Sequence, residues 1–174
     1  MQLQHVTVLV LEVQEYKMQK SVYLASPFFS SDQIGRVNKA LSLLLKNPTI
    51  DSEAIFLPML HQNEEFEFGS PTWQDATFRS DVRQINAADV VVAILDFKAE
   101  ERNFEPDAGT MWEIGYAFAQ NKPVIMLQFF DEAPLNLMLA RSYTAFLQGD
   151  EEIDSLKSYD FNGLKQTYTD KDVF

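Results

Sequence analysis

The segment DAGTMWEIGYA, residues 107–117, carries two carboxylates, Asp107 and Glu113, with Gly109 between them. A glycine at such a turn lets a ligand come close to the backbone. Glu113 has Met111, Trp112 and Ile114 as neighbours. A carboxylate buried among apolar side chains is costly unless it finds a partner, so Glu113 is conspicuous. Two carboxylates on either side of one turn mark a candidate carboxylate-bearing site without naming its reaction. Plainer readings stand beside this one: Glu113 as a solvated helix residue, and Asp107 as a helix N-cap and nothing more.

Further polar or aromatic residues cluster where apolar runs end. Tyr23, Ser26, Phe28 and Phe29 end or follow the run SVYLA, Gln62 follows AIFLP, and Asp96 closes DVVVAILD. Asp81 lies between Arg79 and Arg83, and a surface ion pair would explain it equally well. The Phe28-Phe29 pair could be ordinary core. His61 is a lone histidine in a polar loop and suggests no metal site. With no cysteine in the chain, disulfides, thiolate metal sites and a cysteine nucleophile are excluded. The sequence has no HExxH, no P-loop and no GxGxxG after a strand.

The elements that must position these residues alternate between strand and helix. Ser21–Ala25 reads as a buried strand stopped by Ser26-Pro27. A helix capped by Ser31 or Asp32 is expected to run to about Lys46, with Ile34, Val37, Leu41, Leu44 and Leu45 on its apolar stripe. Asn47-Pro48 stops it. A strand over Ala54–Pro58 comes next, then a polar loop from His61 to Ser70, then a helix from Pro71 to about Asn86. Asp89–Asp96 reads as a strand buried on both faces, as in a parallel sheet. Asp107–Gln120 is a helix, and Lys122–Phe129 and Tyr143–Leu147 are strands. This order implies an α/β fold: an open, mostly parallel five-stranded sheet with helices on both faces, flavodoxin- or Rossmann-like. In such sheets ligands bind beyond the carboxyl ends of the strands, where the polar residues above fall.

Length and composition fit one globular domain, with 174 residues and 46% apolar residues. Residues 1–17 stand apart as an N-terminal extension or an extra strand, VTVLVLEV, and Met18 offers a plausible start for the domain at 18–174. There is no apolar run long enough for a membrane span and no basic leader, so a cytoplasmic protein is expected. The formal net charge of −12, with the Lys and Arg residues scattered, disfavours a nucleic-acid polymer as partner. Small neutral ligands such as bases and nucleosides meet no such penalty. Taken alone, these residues give an α/β domain with a carboxylate-bearing site and stop short of the reaction.

Four segments carry a resemblance. VYLASPFF, WQDATFRSDVRQINAADVVVAILD, DAGTMWEIGYAFAQNKPVI and PLNLM, in this order and spacing, resemble the nucleoside 2-deoxyribosyltransferase family from about Lys20 to about Asn162. The resemblance implies transfer of 2-deoxyribose between nucleobases through a glutamyl intermediate, without metal or organic cofactor. It implies Glu113 as nucleophile, Asp107 as the acid that serves the base, and Tyr23 as the residue that positions the nucleophile. Asp81 would lie on the sugar side, Phe28 and Phe29 against the base, and Gln62 on the base, with Gly109 at the turn between the carboxylates. Asn136 and Met138, in PLNLM, would line the substrate site, Asn136 reaching the sugar 5′-hydroxyl of a neighbouring subunit. The family's C-terminal carboxylate, which reaches the site in some members, here belongs to Phe174 in place of the usual tyrosine. The implied partners are deoxyribonucleosides, free nucleobases and further copies of the chain in a dimer-based assembly, a hexamer among the options. Two competing readings remain at this stage: a nucleoside or nucleoside 5′-monophosphate N-glycosidase of the same superfamily, with Ser26 and Arg141 as candidate phosphate contacts, and a nucleotide-binding module without turnover. The joint presence of Asp107 and Glu113 argues against the second.

Overall fold

The structure is a computed structural model that describes residues 18–96, 105–130 and 133–173. The extension at 1–17 and Phe174 lie outside the described residues. Five strands form one sheet in the order β2-β1-β3-β4-β5: β1 (Lys20–Ala25), β2 (Ile50–Phe56), β3 (Val90–Ile94), β4 (Val124–Gln128) and β5 (Ala145–Gln148). All four pairings are parallel. Each link between neighbouring strands must therefore cross over, and helices α1 (Ser31–Leu44), α2 (Pro71–Ala87) and α3 (Ala108–Ala119) supply the first three crossovers. A short α4 (Gly149–Asp154) follows β5. The flavodoxin-like strand order places the turn of direction between β1 and β3, where such folds bind ligands.

β3 and β4 are buried along their whole length; β3 is wholly apolar, and β4 is apolar up to its last residue, the buried Gln128. Their alternate residues feed two cores. On one face Val22, Leu24, Val92, Ile94 and Leu127 pack with α1, α4 and Phe161. On the other Tyr23, Val91, Ala93 and Met126 pack with Ile85 of α2 and with Ile114 and Ala117 of α3. Tyr23 and the helices that carry Asp81 and Glu113 lie on this second face.

Boundaries move by a few residues from those expected. β2 begins at Ile50 and not at Ala54, because Asn47 and Thr49 are already tied into the sheet's lower end: Asn47 Oδ1 accepts from Thr49 N at 2.8 Å. The N-cap of α1 is Ser30, not Ser31 or Asp32; its Oγ accepts from Gln33 N at 3.2 Å. The stripe of α1 also turns. Val37 and Leu44 are buried with Ala40 and Leu43, whereas Ile34 and Leu45 are exposed, since α1 joins the core along only one arc of its surface. β5 starts at Ala145, because Thr144 N still bonds to Val124 O at the entry to β4.

Candidate active site

β1 delivers Tyr23 on the α2/α3 face, fully buried, and its hydroxyl donates to Glu113 Oε1. Glu113 sits one turn into α3, which packs over β1, β3 and β4. Burial pushes the Glu113 carboxyl up to about 7; the Tyr23 hydrogen bond opposes this, and the carboxylates of Asp81 and Asp107 reinforce it. Asp81 reaches the same place from α2. Burial raises it to about 6, and its buried Oδ1 has no hydrogen-bond partner. The Tyr23 phenol is held far above its ordinary range, first by burial and then by Glu113 and Asp81, so it remains a neutral donor. The plain reading of Glu113 as a solvated helix residue and that of Asp81 as a surface ion pair both fail: the Arg79 ion pair goes to Asp75, with Nε to Oδ2 at 2.8 Å.

Asp107 is the N-cap of α3, as its type and place suggested. Its Oδ2 accepts from Thr110 N at 2.8 Å and from Thr110 Oγ1 at 3.1 Å. Gly109 serves this cap, since a Cβ there would stand 3.1 Å from Asp107 Oδ2. The cap does not exhaust Asp107, which also acts electrostatically on Glu113. One helix therefore presents both carboxylates, Asp107 at its end and Glu113 on its second turn.

Other candidates are placed around this centre or apart from it. Phe28 and Phe29 stack at 5.3 Å in the loop after β1; Phe28 is half-buried, and Phe29 is 78% exposed, so the pair is not ordinary core. Gln62 spends its side-chain Nε2 on Pro58 O at 2.7 Å, while its backbone carbonyl accepts from Trp73 Nε1 of α2. Asn136 Oδ1 accepts from Met138 N at 2.9 Å, a local turn in which Leu137 and Met138 are exposed. The chain end approaches this turn: Val173 bridges to Leu135. Among the described residues no cluster of three or more His, Asp or Glu side chains is arranged to hold a metal ion, and no helix is long and apolar enough to cross a membrane.

The profile of the nucleoside 2-deoxyribosyltransferase family matches residues 22–152, which include Tyr23, Asp81, Asp107, Glu113 and Asn136. The chain belongs to this family. A nucleoside deoxyribosyltransferase of Limosilactobacillus fermentum is 32% identical over 158 residues, 81% of this chain and 86% of that one. The solved structure of a 2-deoxyribosyltransferase from Bacillus psychrosaccharolyticus superposes with a TM-score of 0.71 at 31% identity, covering 86% of this chain and 98% of that one. A CMP N-glycosidase of Clostridium botulinum shares the fold at 20% identity and a TM-score of 0.50, covering 79% and 95%. The protein is thus a transferase enzyme of the deoxyribosyltransferase family.

Two features of this deoxyribosyltransferase fold escaped the sequence reading. Phe56 stacks on Tyr23 at 5.6 Å and His61 stacks on Phe56 at 4.5 Å, a row of rings that fixes the Tyr23 plane. Arg36 of α1 bonds to Asp96 at the exit of β3, Nε to Oδ2 at 2.6 Å. Asp96 was visible as a strand end. Nothing local marks Arg36, because its partner is 60 residues away.

Proposed function

We propose that this protein moves 2-deoxyribose from one nucleobase to another by a retaining double displacement in which Glu113 is the nucleophile. The observation that carries the proposal is the buried Tyr23–Glu113 pair, with the carboxyls of Asp81 and Asp107 beside it. Tyr23 holds Oε1 and leaves Oε2 to meet the anomeric carbon. Burial keeps Glu113 more basic than an ordinary carboxylate, and so more nucleophilic. In the first step the C1′–N bond breaks, its electron pair leaves with the base, and Oε2 bonds to C1′. Asp107 gives the departing base its proton. In the second step a nitrogen of the acceptor base attacks C1′, the ester bond returns its electrons to Glu113, and the acceptor's proton returns to Asp107. Two inversions give net retention. The scheme uses no metal or organic cofactor.

Asp81 faces the sugar, Phe28 and Phe29 flank the base, and Gly109 keeps the wall at Asp107 thin. Gln62 reads the base after exchanging its bond to Pro58 O for one to the ligand. Asn136, Met138 and Phe174 act in a neighbouring subunit's site. A dimer-based homo-oligomer is favoured by the aromatic side chains that α2 and α3 expose, Phe78 at 54%, Trp112 at 46% and Phe118 at 54%. The place of work is the cytoplasm and the purpose nucleoside salvage, with residues 18–174 as the catalytic domain.

The test is incubation with deoxyinosine and adenine, with and without a pyrimidine acceptor, followed by chromatography. Formation of deoxyadenosine is expected. Release of free deoxyribose with no new nucleoside would replace the transferase scheme by the hydrolytic one, and the pyrimidine arm defines the range of bases.

A further inference from the structure

Phe56 and His61 have no part in the scheme above, yet a direct contact joins each step from them to Glu113. In the sheet Tyr23 lies between Phe56 of β2 and Val91 of β3. β2 is an edge strand, and Phe56 is its last residue. The Phe56 ring stacks on Tyr23, the centres 5.6 Å apart and the planes 17° from parallel. His61, just beyond the short turn Pro58–Leu60, stacks on Phe56 in turn, at 4.5 Å and 11°. Phe56 is only partly buried, and His61 is exposed. Both rings line two cavities beside β2, of about 400 Å³ and about 520 Å³. Open space on that side leaves the Phe56 ring to be oriented by its two ring neighbours and by what Tyr23 packs against.

Offset stacking contributes beyond the area the rings bury, so a tilt of one ring in the row acts on the next. A hydrogen bond weakens steeply as its angle closes, so the place of the Tyr23 ring decides how well its hydroxyl serves Glu113. We propose that Phe56, braced by His61, is a positioning residue for the nucleophile: the row of rings holds the Tyr23 hydroxyl on Glu113 Oε1. The consequence is electrostatic. Burial raises the Glu113 carboxyl, the Tyr23 hydrogen bond opposes the rise, and the carboxylates of Asp81 on α2 and Asp107 at the start of α3 add to it. A Tyr23 that tilts away leaves burial and the two carboxylates unopposed. Glu113 then ionises at a higher pH than in the wild type.

This inference rests on Glu113 as the nucleophile of the transferase scheme, and its test separates the two. Exchange from deoxyinosine to adenine is measured from about pH 5 to about pH 9, where the acid limb of kcat/KM reports ionisation of the free enzyme. Tyr23→Phe is expected to move that limb up by about one pH unit, as the loss of a hydrogen bond to a charged group requires. Phe56→Leu is expected to move it in the same direction by about half a unit and to lower kcat about 3- to 30-fold. Phe56→Tyr keeps the ring and is expected to keep the wild-type limb. His61→Ala is expected to shift the limb upward by less than Phe56→Leu does. His61→Phe, a ring that does not titrate, is expected to leave it in place. Added to Tyr23→Phe, Phe56→Leu is expected to bring no further shift. The His61 pair carries the test if Phe56→Leu does not fold. An unmoved limb in an active Phe56→Leu protein, with the loss of rate matched by a lower Tm, would make the row purely structural and overturn the proposal. A His61→Phe protein that shifts as far as His61→Ala would overturn it too, since the imidazole and not the stacked ring would then be at work. A wild-type protein without exchange would sink the transferase scheme itself and the inference with it.

Discussion

Two clusters of buried polar side chains sit at opposite ends of the sheet, and they are finished to different degrees. At the amino end, just before β2, Asn47 uses its whole amide. Nδ2 donates to Leu156 O at 2.6 Å and to Tyr159 O at 2.8 Å, while Oδ1 accepts from Thr49 N at 2.8 Å and from Thr49 Oγ1 at 2.7 Å. At the carboxyl end Glu113 has Tyr23 on one oxygen, and Asp81 keeps a buried oxygen with no partner. Burial raises both carboxyls. A saturated cluster contributes stability. An unsaturated one costs stability and stays ready to bond to something else. The difference separates a structural node from a site more sharply than residue type does, since both clusters are polar, buried and joined over long stretches of chain.

The comparison can be broken first at the nucleophile. Glu113→Ala is expected to lower exchange by about four orders of magnitude or more while the protein stays folded, as read by turnover assay and circular dichroism. Near-normal exchange by the purified variant would remove Glu113 from the chemistry. The opposite result is expected at the saturated cluster. Asn47→Ala should cost about 2–4 kcal/mol in urea unfolding, because it removes the Asn47 partner of two carbonyls, the Thr49 N–H and the Thr49 hydroxyl, yet leave kcat per folded molecule unchanged. A fall in kcat without a fall in stability would mean that the two ends are not separable.

Asp81→Asn sharpens the contrast within the site. The amide keeps the shape and removes the charge, so exchange should fall about 10- to 100-fold while Tm at pH 8 stays level or rises. A loss of Tm would show that the carboxylate stabilises the fold after all. The smallest expected effect is a pH dependence. The folded-state values of Glu113, about 7, and Asp81, about 6, lie above their ordinary values of 4.5 and 3.8. The folded state therefore binds these protons more tightly. Their contribution to stability is fully present below about pH 4 and is lost as pH rises through 6 to 7. Glu113→Gln should remove part of this loss, gaining about 1–2 kcal/mol over wild type at pH 8 and almost nothing at pH 4. Equal gains at both pH values would mean that the Glu113 carboxyl titrates normally.

The alternation of apolar runs with capped helical stripes was enough to determine an open α/β sheet, because burial on both faces leaves β3 no polar position and β4 only Gln128 at its end. The same local logic placed Asp107 at a helix cap and Asp107 and Glu113 on one helix. Chain order in the four resembling segments carried the family, which the 22–152 match then established. Tertiary structure alone decided the rest. Sequence left Glu113 and Asp81 open to a solvated reading, and only the packing of α2 and α3 on one sheet face brings both, partly buried, near Tyr23, 90 residues from Glu113. It showed Phe29 exposed where ordinary core was the plainer expectation, and it joined Arg36 to Asp96 across 60 residues. Periodicity records which face of an element is apolar, because burial acts on every turn of it. The electrostatic state of a carboxyl depends on what other elements bring to it, and that is fixed only when the chain has folded.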